Sequence, residues 1–252
     1  MKNGRNYLVI DGRNSMDFGV YISGAGTYKA PERNYEEIEI PGRNGVFLFD
    51  FGNYKNVDVS YEAFIAEQTR YYPMNYSRFE ENIAAFRSFL ISRDGYVRIE
   101  DTYHPDEFRL GYYNMEFDPD VHQSLMGAQF TITFKCKPQR FLKSGERKLI
   151  RGTDFSTNLR NPTNHTATPL IRAYGTGSVT IGSRTIVISR ANSYTDIDTE
   201  LQEAYKDTLA TSCNDKIILS NGEFPVLKPG LNTVSTAATI TRLEITPRWW
   251  TV

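Results

Sequence analysis

The sequence has few of the residues that build reactive centres. It holds two cysteines and three histidines in 252 residues. Cys136 and Cys213 lie far apart and neither belongs to a CxxC pair, so no disulfide framework or thiolate zinc site is encoded. Two reduced, buried thiols are what such usage predicts, with folding in a reducing cytoplasm. His104, His122 and His165 are scattered among loop-forming neighbours, without an HxxxH spacing. An excess of one charge sign is missing as well: 29 Lys and Arg stand against 30 Asp and Glu. No global field then draws nucleic acid or anionic lipid, and neither is expected as a partner. No run approaches the ~20 apolar residues of a membrane helix. The start, Met1 to Tyr7, lacks the apolar stretch of a signal peptide.

Motifs for chemistry are equally sparse. There is no GxSxG elbow. Gly24-Ala25-Gly26 lacks the third glycine and the helix start of a phosphate loop, and Gly175-Thr176-Gly177 sits between two strand-like segments. The alternating acids of Asp196-Ile197-Asp198-Thr199-Glu200 lack the glycine and spacing of a calcium loop and read as solvent-facing carboxylates. No catalytic, metal or cofactor-binding residue is expected, and the chain is read as non-enzymatic.

Aromatic residues are what the chain has instead. Sixteen Tyr and fifteen Phe accompany two Trp, within 40% hydrophobic residues. Tyr and Phe suit pleated, half-buried surfaces, and Tyr is enriched where proteins meet. Val57, Val59, Tyr61, Ala63 and Ile65 alternate with Asp58, Ser60, Glu62 and Phe64. Ala128, Phe130, Ile132, Phe134 and Cys136 alternate with Gln129, Thr131, Thr133 and Lys135. Both are strands with one buried face. One segment reads as helix. Ser77 and Glu80 form a capping box, and Phe79, Ile83, Phe86 and Leu90 recur at steps of four, three and four. Asp94-Gly95 stops it. Segments 96–100 and 108–112 form a hairpin with a long exposed turn.

Lys135-Cys136-Lys137-Pro138 ends the second clean strand, and composition then shifts. Short strands follow at 170–174, 179–181, 185–188, 194–197, 216–219 and 239–246, with a helical turn placed within 198–210. In the last strand Thr241, Leu243 and Ile245 share one face. The predicted fold is mainly β, a sandwich with a helix over 1–139 and a second sandwich or jelly roll over 140–252. Pro41-Gly42-Arg43-Asn44-Gly45 marks a tight turn that holds Arg43 outward, either a hairpin tip or an interface loop.

Taken in order, several segments resemble the distal tail (Dit) family of siphophages and prophages of Gram-positive bacteria. They are Ile40 to Gly45, the strand at 57–65, the helix ending Phe89-Leu90, the hairpin Asp101…Pro105…Arg109 and Lys135-Cys136-Lys137-Pro138. Then come Thr168-Pro169-Leu170-Ile171, Gly175-Thr176-Gly177, Asn221 to Asn232 and Pro247-Arg248-Trp249-Trp250. The resemblance implies an N-terminal β-sandwich with a helix and a β-hairpin that builds a hexameric ring, single or stacked in two. That ring would join the tail tube protein to tail-tip, tail-lysin or fibre proteins. It also implies a C-terminal domain resembling galectins and carbohydrate-binding modules, which holds receptor-binding or baseplate parts. The protein would then sit at the distal end of the virion tail after assembly in the host cytoplasm. Candidate interface residues are Gly42, Arg43, Asn44, Gly45, Tyr71, Tyr72, Tyr112 and Tyr113. Trp249 and Trp250 are candidate saccharide or partner contacts, for an alternative role as a carbohydrate-binding adhesin; the competing reading has one Trp in the core and the other at its edge.

Overall fold

A computed structural model of the chain describes residues 5–24, 26–66, 76–122, 127–190 and 193–252. The side chains of Ala66, Tyr76, Ser77 and His122 lie outside the description, and with them the Ser77 cap. The fold is mainly β. The chain divides into two compact units, residues 1–140 with Val252, and residues 141–251.

The first unit runs β1 (Leu8–Ile10), β2 (Arg13–Asn14), β3 (Val20–Ser23), β4 (Arg33–Glu39), β5 (Val46–Tyr54), β6 (Val57–Ala66), α1 (Tyr76–Ile91), β7 (Val97–Asp101), β8 (Glu107–Tyr113), β9 (Asp120–His122) and β10 (Gly127–Leu142). Its main sheet is ordered β2-β1-β7-β8-β10-β6-β3, with β9 also on β10. The two strands with period-two alternation are neighbours. Val57, Val59, Tyr61, Ala63 and Ile65 stand opposite Cys136, Phe134, Ile132, Phe130 and Ala128. Every inward residue thus meets an inward residue, and the register is fixed by the buried face. Helix α1 covers this face with Phe79, Phe86, Phe89 and Leu90, all buried. The Phe86 ring contacts Phe18, Phe117 and Phe130 at centroid distances of 5.5, 6.1 and 6.0 Å. The predicted hairpin is β7–β8, pairing Val97 with Gly111 and Ile99 with Arg109. Its turn is less exposed than expected, since Thr102, Tyr103 and His104 are half-buried.

Pro138 does not end its strand. β10 continues to Leu142 because its pairing with β6 stops at Cys136–Val57, so on that side Pro138 forfeits no ladder bond.

The second unit runs β11 (Leu149–Arg151), β12 (Ser156–Asn161), β13 (Leu170–Gly175), β14 (Gly177–Ile181), β15 (Arg184–Ile188), β16 (Tyr194–Asp198), β17 (Glu203–Lys206), β18 (Thr208–Ser212), β19 (Ile217–Leu219), β20 (Gly230–Thr236), β21 (Ile240–Thr246) and β22 (Trp250–Thr251). Two sheets, ordered β11-β21-β13-β16-β17-β18 and β12-β20-β14-β15-β19, enclose one core. Ile171, Ala173, Ile197, Leu243 and Ile245 line it from one sheet, and Val179, Ile181, Ile186, Ile188 and Val234 from the other. Two expectations are corrected. Residues 198–210 form no helical turn; they hold the hairpin β17–β18, with Gln202 and Asp207 in the left-handed region at its bends. On β21 the bulge at Tyr174/Gly175 shifts the register, so Ile240 is buried where Thr241 was expected and Thr241 is exposed.

Candidate assembly surfaces

Strands β4 and β5 form a two-stranded sheet of their own, a hairpin arm. Pro-Gly and Asn-Gly make its tip: Gly42 and Gly45 take φ of +78° and +82°, and the Arg43 N–H donates to the Ile40 carbonyl at 3.1 Å. At the root, Arg33 donates to Asp50 Oδ2 from Nε (3.0 Å) and Nη2 (2.7 Å), which holds the Asp50 carboxyl below the usual carboxylate range. The turn is the tip of a hairpin, with Gly42, Arg43, Asn44 and Gly45 all exposed.

What the sequence reading missed is the strand after that tip. Val46-Phe47-Leu48-Phe49-Asp50-Phe51 has no alternation, because neither face is buried within the chain. Phe47, Phe49 and Phe51 are 51%, 47% and 51% exposed on one face, while Val46 and Leu48 stand exposed on the other. Opposite them, β4 offers Ile38 across from Phe47, and Glu36, Glu37 and Glu39 across from Phe49, Leu48 and Val46. The signal available was the apolar run itself, directly after a turn.

Tyr71 and Tyr72 lie outside the described residues. Tyr112 and Tyr113 are on β8 in the main sheet, apart from the arm's own sheet. Tyr112 meets the Tyr96 ring edge-on at 5.3 Å. Tyr113 packs on the core beside Phe134 and donates its hydroxyl to the Glu116 carbonyl at 3.1 Å.

Beside the β7–β8 turn lies a polar cluster. Asp101 accepts from the Tyr61 hydroxyl (2.8 Å) and the His104 backbone N–H (2.8 Å), and lies 3.1 Å from His104 Nδ1. Burial, with Asp101 adding to it, pushes the Tyr61 hydroxyl well above the usual phenol range. Glu107 pairs with Arg140 at 2.6 Å. Arg109 is 5% exposed; burial first, then the charge of Arg140, holds its guanidinium below the ordinary arginine range.

In the second unit, two of the three acids read as solvent-facing, Asp196 and Asp198, are buried and paired, which corrects that expectation for them, while Glu200 is exposed as expected. Arg172 holds Asp196 in a fork of 2.6 and 2.8 Å, and Arg248 holds Asp198 in one of 2.7 and 2.8 Å. Burial raises the Asp198 carboxyl, but the hydrogen bonds and charge of Arg248 outweigh it and leave it below the usual range. Glu244 pairs with Lys148 and Arg242. These carboxylates are committed to side-chain cations, and no metal-ligand cluster occurs among the described residues. Trp249 is 5% exposed and belongs to the core. Trp250 stacks on His165 at 4.4 Å and donates its indole N–H to the Thr166 carbonyl at 3.0 Å.

Fold and surface together define a class: a mainly β chain of two units, with a two-sheet sandwich around an apolar core in one and an exposed apolar arm on the other. No family model matches the sequence, and no curated protein matches it. Among solved structures, the chain is similar to the SPP1 Dit (gp 19.1) protein, described as a paradigm of hub adsorption apparatus in Gram-positive infecting phages. The TM-score is 0.72 at 14% identity, over 98% of this chain and 99% of that one. At such identity the likeness is one of fold, and it spans nearly the whole length. The phage p2 baseplate in its activated conformation with Sr superposes with a TM-score of 0.49 at 8% identity, over 96% of this chain and 98% of that one, a likeness too slight to bear on the fold.

Proposed function

We propose that this chain is a structural subunit of a phage tail, a distal-tail hub that assembles with copies of itself into a ring between tail tube and tail tip. The first unit would form the ring, as six copies in one layer or two. The second would hold receptor-binding, baseplate, tail-lysin or fibre proteins. The virion tail would be its location, after assembly in the host cytoplasm. The Dit-like fold across the chain supports the reading.

The observation that carries it is the arm. Tyr35, Ile38, Ile40, Val46, Phe47, Leu48, Phe49 and Phe51 are each between 41% and 52% exposed. With aromatic side chains of ~150–250 Å² and aliphatic ones somewhat smaller, that leaves on the order of 600–800 Å² of apolar surface, near what one partner of a stable interface buries. Water does not favour such a surface on a lone chain. An arm that docks on a different surface of the next copy makes a heterologous contact, and such contacts give a ring where the rotation between copies closes. A non-catalytic role agrees with the carboxylates of the second unit, which are neutralised by Arg and Lys instead of facing an open cleft. Light scattering and electron microscopy on the purified full chain test the proposal. A discrete closed oligomer is expected; a chain that stays monomeric at high concentration overturns it.

A further inference from the structure

The segment joining β3 to β4 carries the arm, and it comes down on the polar cluster beside the β7–β8 turn. A Cβ placed on Gly26 would meet Tyr103 Cβ at 3.0 Å and His104 Cε1 at 3.2 Å, so the backbone there lies close against the turn. Tyr28 sets its ring edge-on to His104 at 5.3 Å and 81°. Arg109 Nη2 reaches the Lys29 carbonyl at 3.5 Å, the outer limit of a hydrogen bond.

Three buried polar atoms of this cluster lack a hydrogen-bond partner: His104 Nε2, Glu107 Oε2 and Arg109 Nη1. Glu107 Oε2 has its ion-pair contact with Arg140, without hydrogen-bond alignment. All three residues line one cavity of about 10 Å³, together with Ile99, Asp101, Phe108 and Arg140. A site of that size takes a single water, and buried waters make about three hydrogen bonds. Buried polar atoms are seldom left unsatisfied.

The donors and acceptors balance. Arg109 Nη1 can only donate. Glu107 Oε2 accepts. His104 Nδ1 faces the Asp101 carboxylate, which places its hydrogen there and leaves Nε2 as an acceptor. One water would accept from Arg109 and donate to Glu107 and His104. An anion would face the carboxylates of Asp101 and Glu107, so the cluster is built for a neutral guest.

We propose that this cavity binds one water, held by Arg109, His104 and Glu107, and that the completed seat fixes residues 26–29 and with them the root of the arm. Its bearing on assembly rests on the reading of the arm above; the seat itself does not. A high-resolution crystal structure of the full chain is expected to show one water within hydrogen-bond distance of all three side chains. Arg109→Met removes its donor. Deuterium exchange of the backbone over 26–32 is then expected to quicken by roughly 5- to 10-fold, the loss of about one net hydrogen bond. Wild type and variant are compared where light scattering gives both the same oligomer, so that a failed ring reading leaves the seat testable. Gly26→Ala, which leaves the water ligands in place and crowds the turn, is expected to quicken the same segment without removing the water. A dry cavity, a chloride in place of the water, or exchange over 26–32 unchanged in both variants overturns the proposal.

Discussion

Replacing Phe47 and Phe49 together by serine puts the role of the arm to its sharpest test. The rings sit two residues apart on one strand and share a face. Each is about half exposed in the single chain, which leaves on the order of 100 Å² per ring to be covered by a neighbour. At ~25 cal/mol per Å², full coverage is worth about 2.5 kcal/mol per ring and about 5 kcal/mol for the pair. Side-chain ordering at the interface offsets part of this. If half survives, each arm contact weakens roughly 70-fold. The isolated fold should scarcely notice, because surface substitutions of this kind change stability by about 0.5 kcal/mol or less. Size-exclusion chromatography with light scattering, over a hundredfold range of concentration, should show the double variant dissociating where the natural chain remains assembled. Thermal melts of the dissociated protein should retain a cooperative transition. An oligomer that resists dilution as before would refute the argument, as would a variant that fails to fold.

Other perturbations bear on separate parts of the molecule. Arg43→Ala with Asn44→Ala, at the exposed tip, is expected to weaken assembly less than the phenylalanine pair, and an unchanged oligomer by light scattering would remove the tip from the interface. Asp198→Asn removes the carboxylate that forks onto Arg248, leaving only the more distant Glu200 at 3.6 Å as counter-charge, and should cost about 1–3 kcal/mol at neutral pH. Because the native Asp198 carboxyl is held below its ordinary value, the stabilisation is fully present above about pH 4. It is lost as pH falls through the lowered native value, so denaturant midpoints of the two proteins should converge in acid. Gly111→Ala would bring a Cβ to 2.7 Å from the Cys136 sulfur and 2.9 Å from Ile99 Cδ1, an overpacking expected to cost about 1–3 kcal/mol in chemical denaturation. Burial pushes the Cys136 thiol up to about 12, so maleimide should label it only upon unfolding; labelling in the native state would contradict the packing of the first core.

The elements legible in the sequence are those whose environment lies within the chain. Val57 to Ile65 and Ala128 to Cys136 alternate because one face meets the helix-covered core, and Phe79, Ile83, Phe86 and Leu90 keep helical spacing because they fill it. β5 was illegible for the opposite reason. Its Val, Phe and Leu residues lie on both faces because neither meets the chain's own core, and period-two counting has nothing to find. Asp196 and Asp198 misled because their partners, Arg172 and Arg248, lie 24 and 50 residues away; an acid with a distant guanidinium reads like an acid in water. Residues 198–210 read as holding a helical turn because the strand that begins there, Thr208 to Ser212, is exposed throughout, so no buried stripe declares it. The pairing of His104, Glu107 and Arg109 around one cavity needs β7, β8 and β10 side by side, which composition cannot announce.

The second unit begins and ends at one place. The Leu142 N–H donates to the Trp249 carbonyl at 2.8 Å, and the Arg248 N–H to the Gly145 carbonyl at 2.9 Å. Chain entry and chain exit are thus clamped together, a bond's width apart, and the polypeptide between them is a closed excursion. Such a geometry is a ready splice point. A tight turn could stand in for the whole excursion, or a foreign module with neighbouring termini could be grafted in its stead, and the chain that leads up to Leu142 would keep its path.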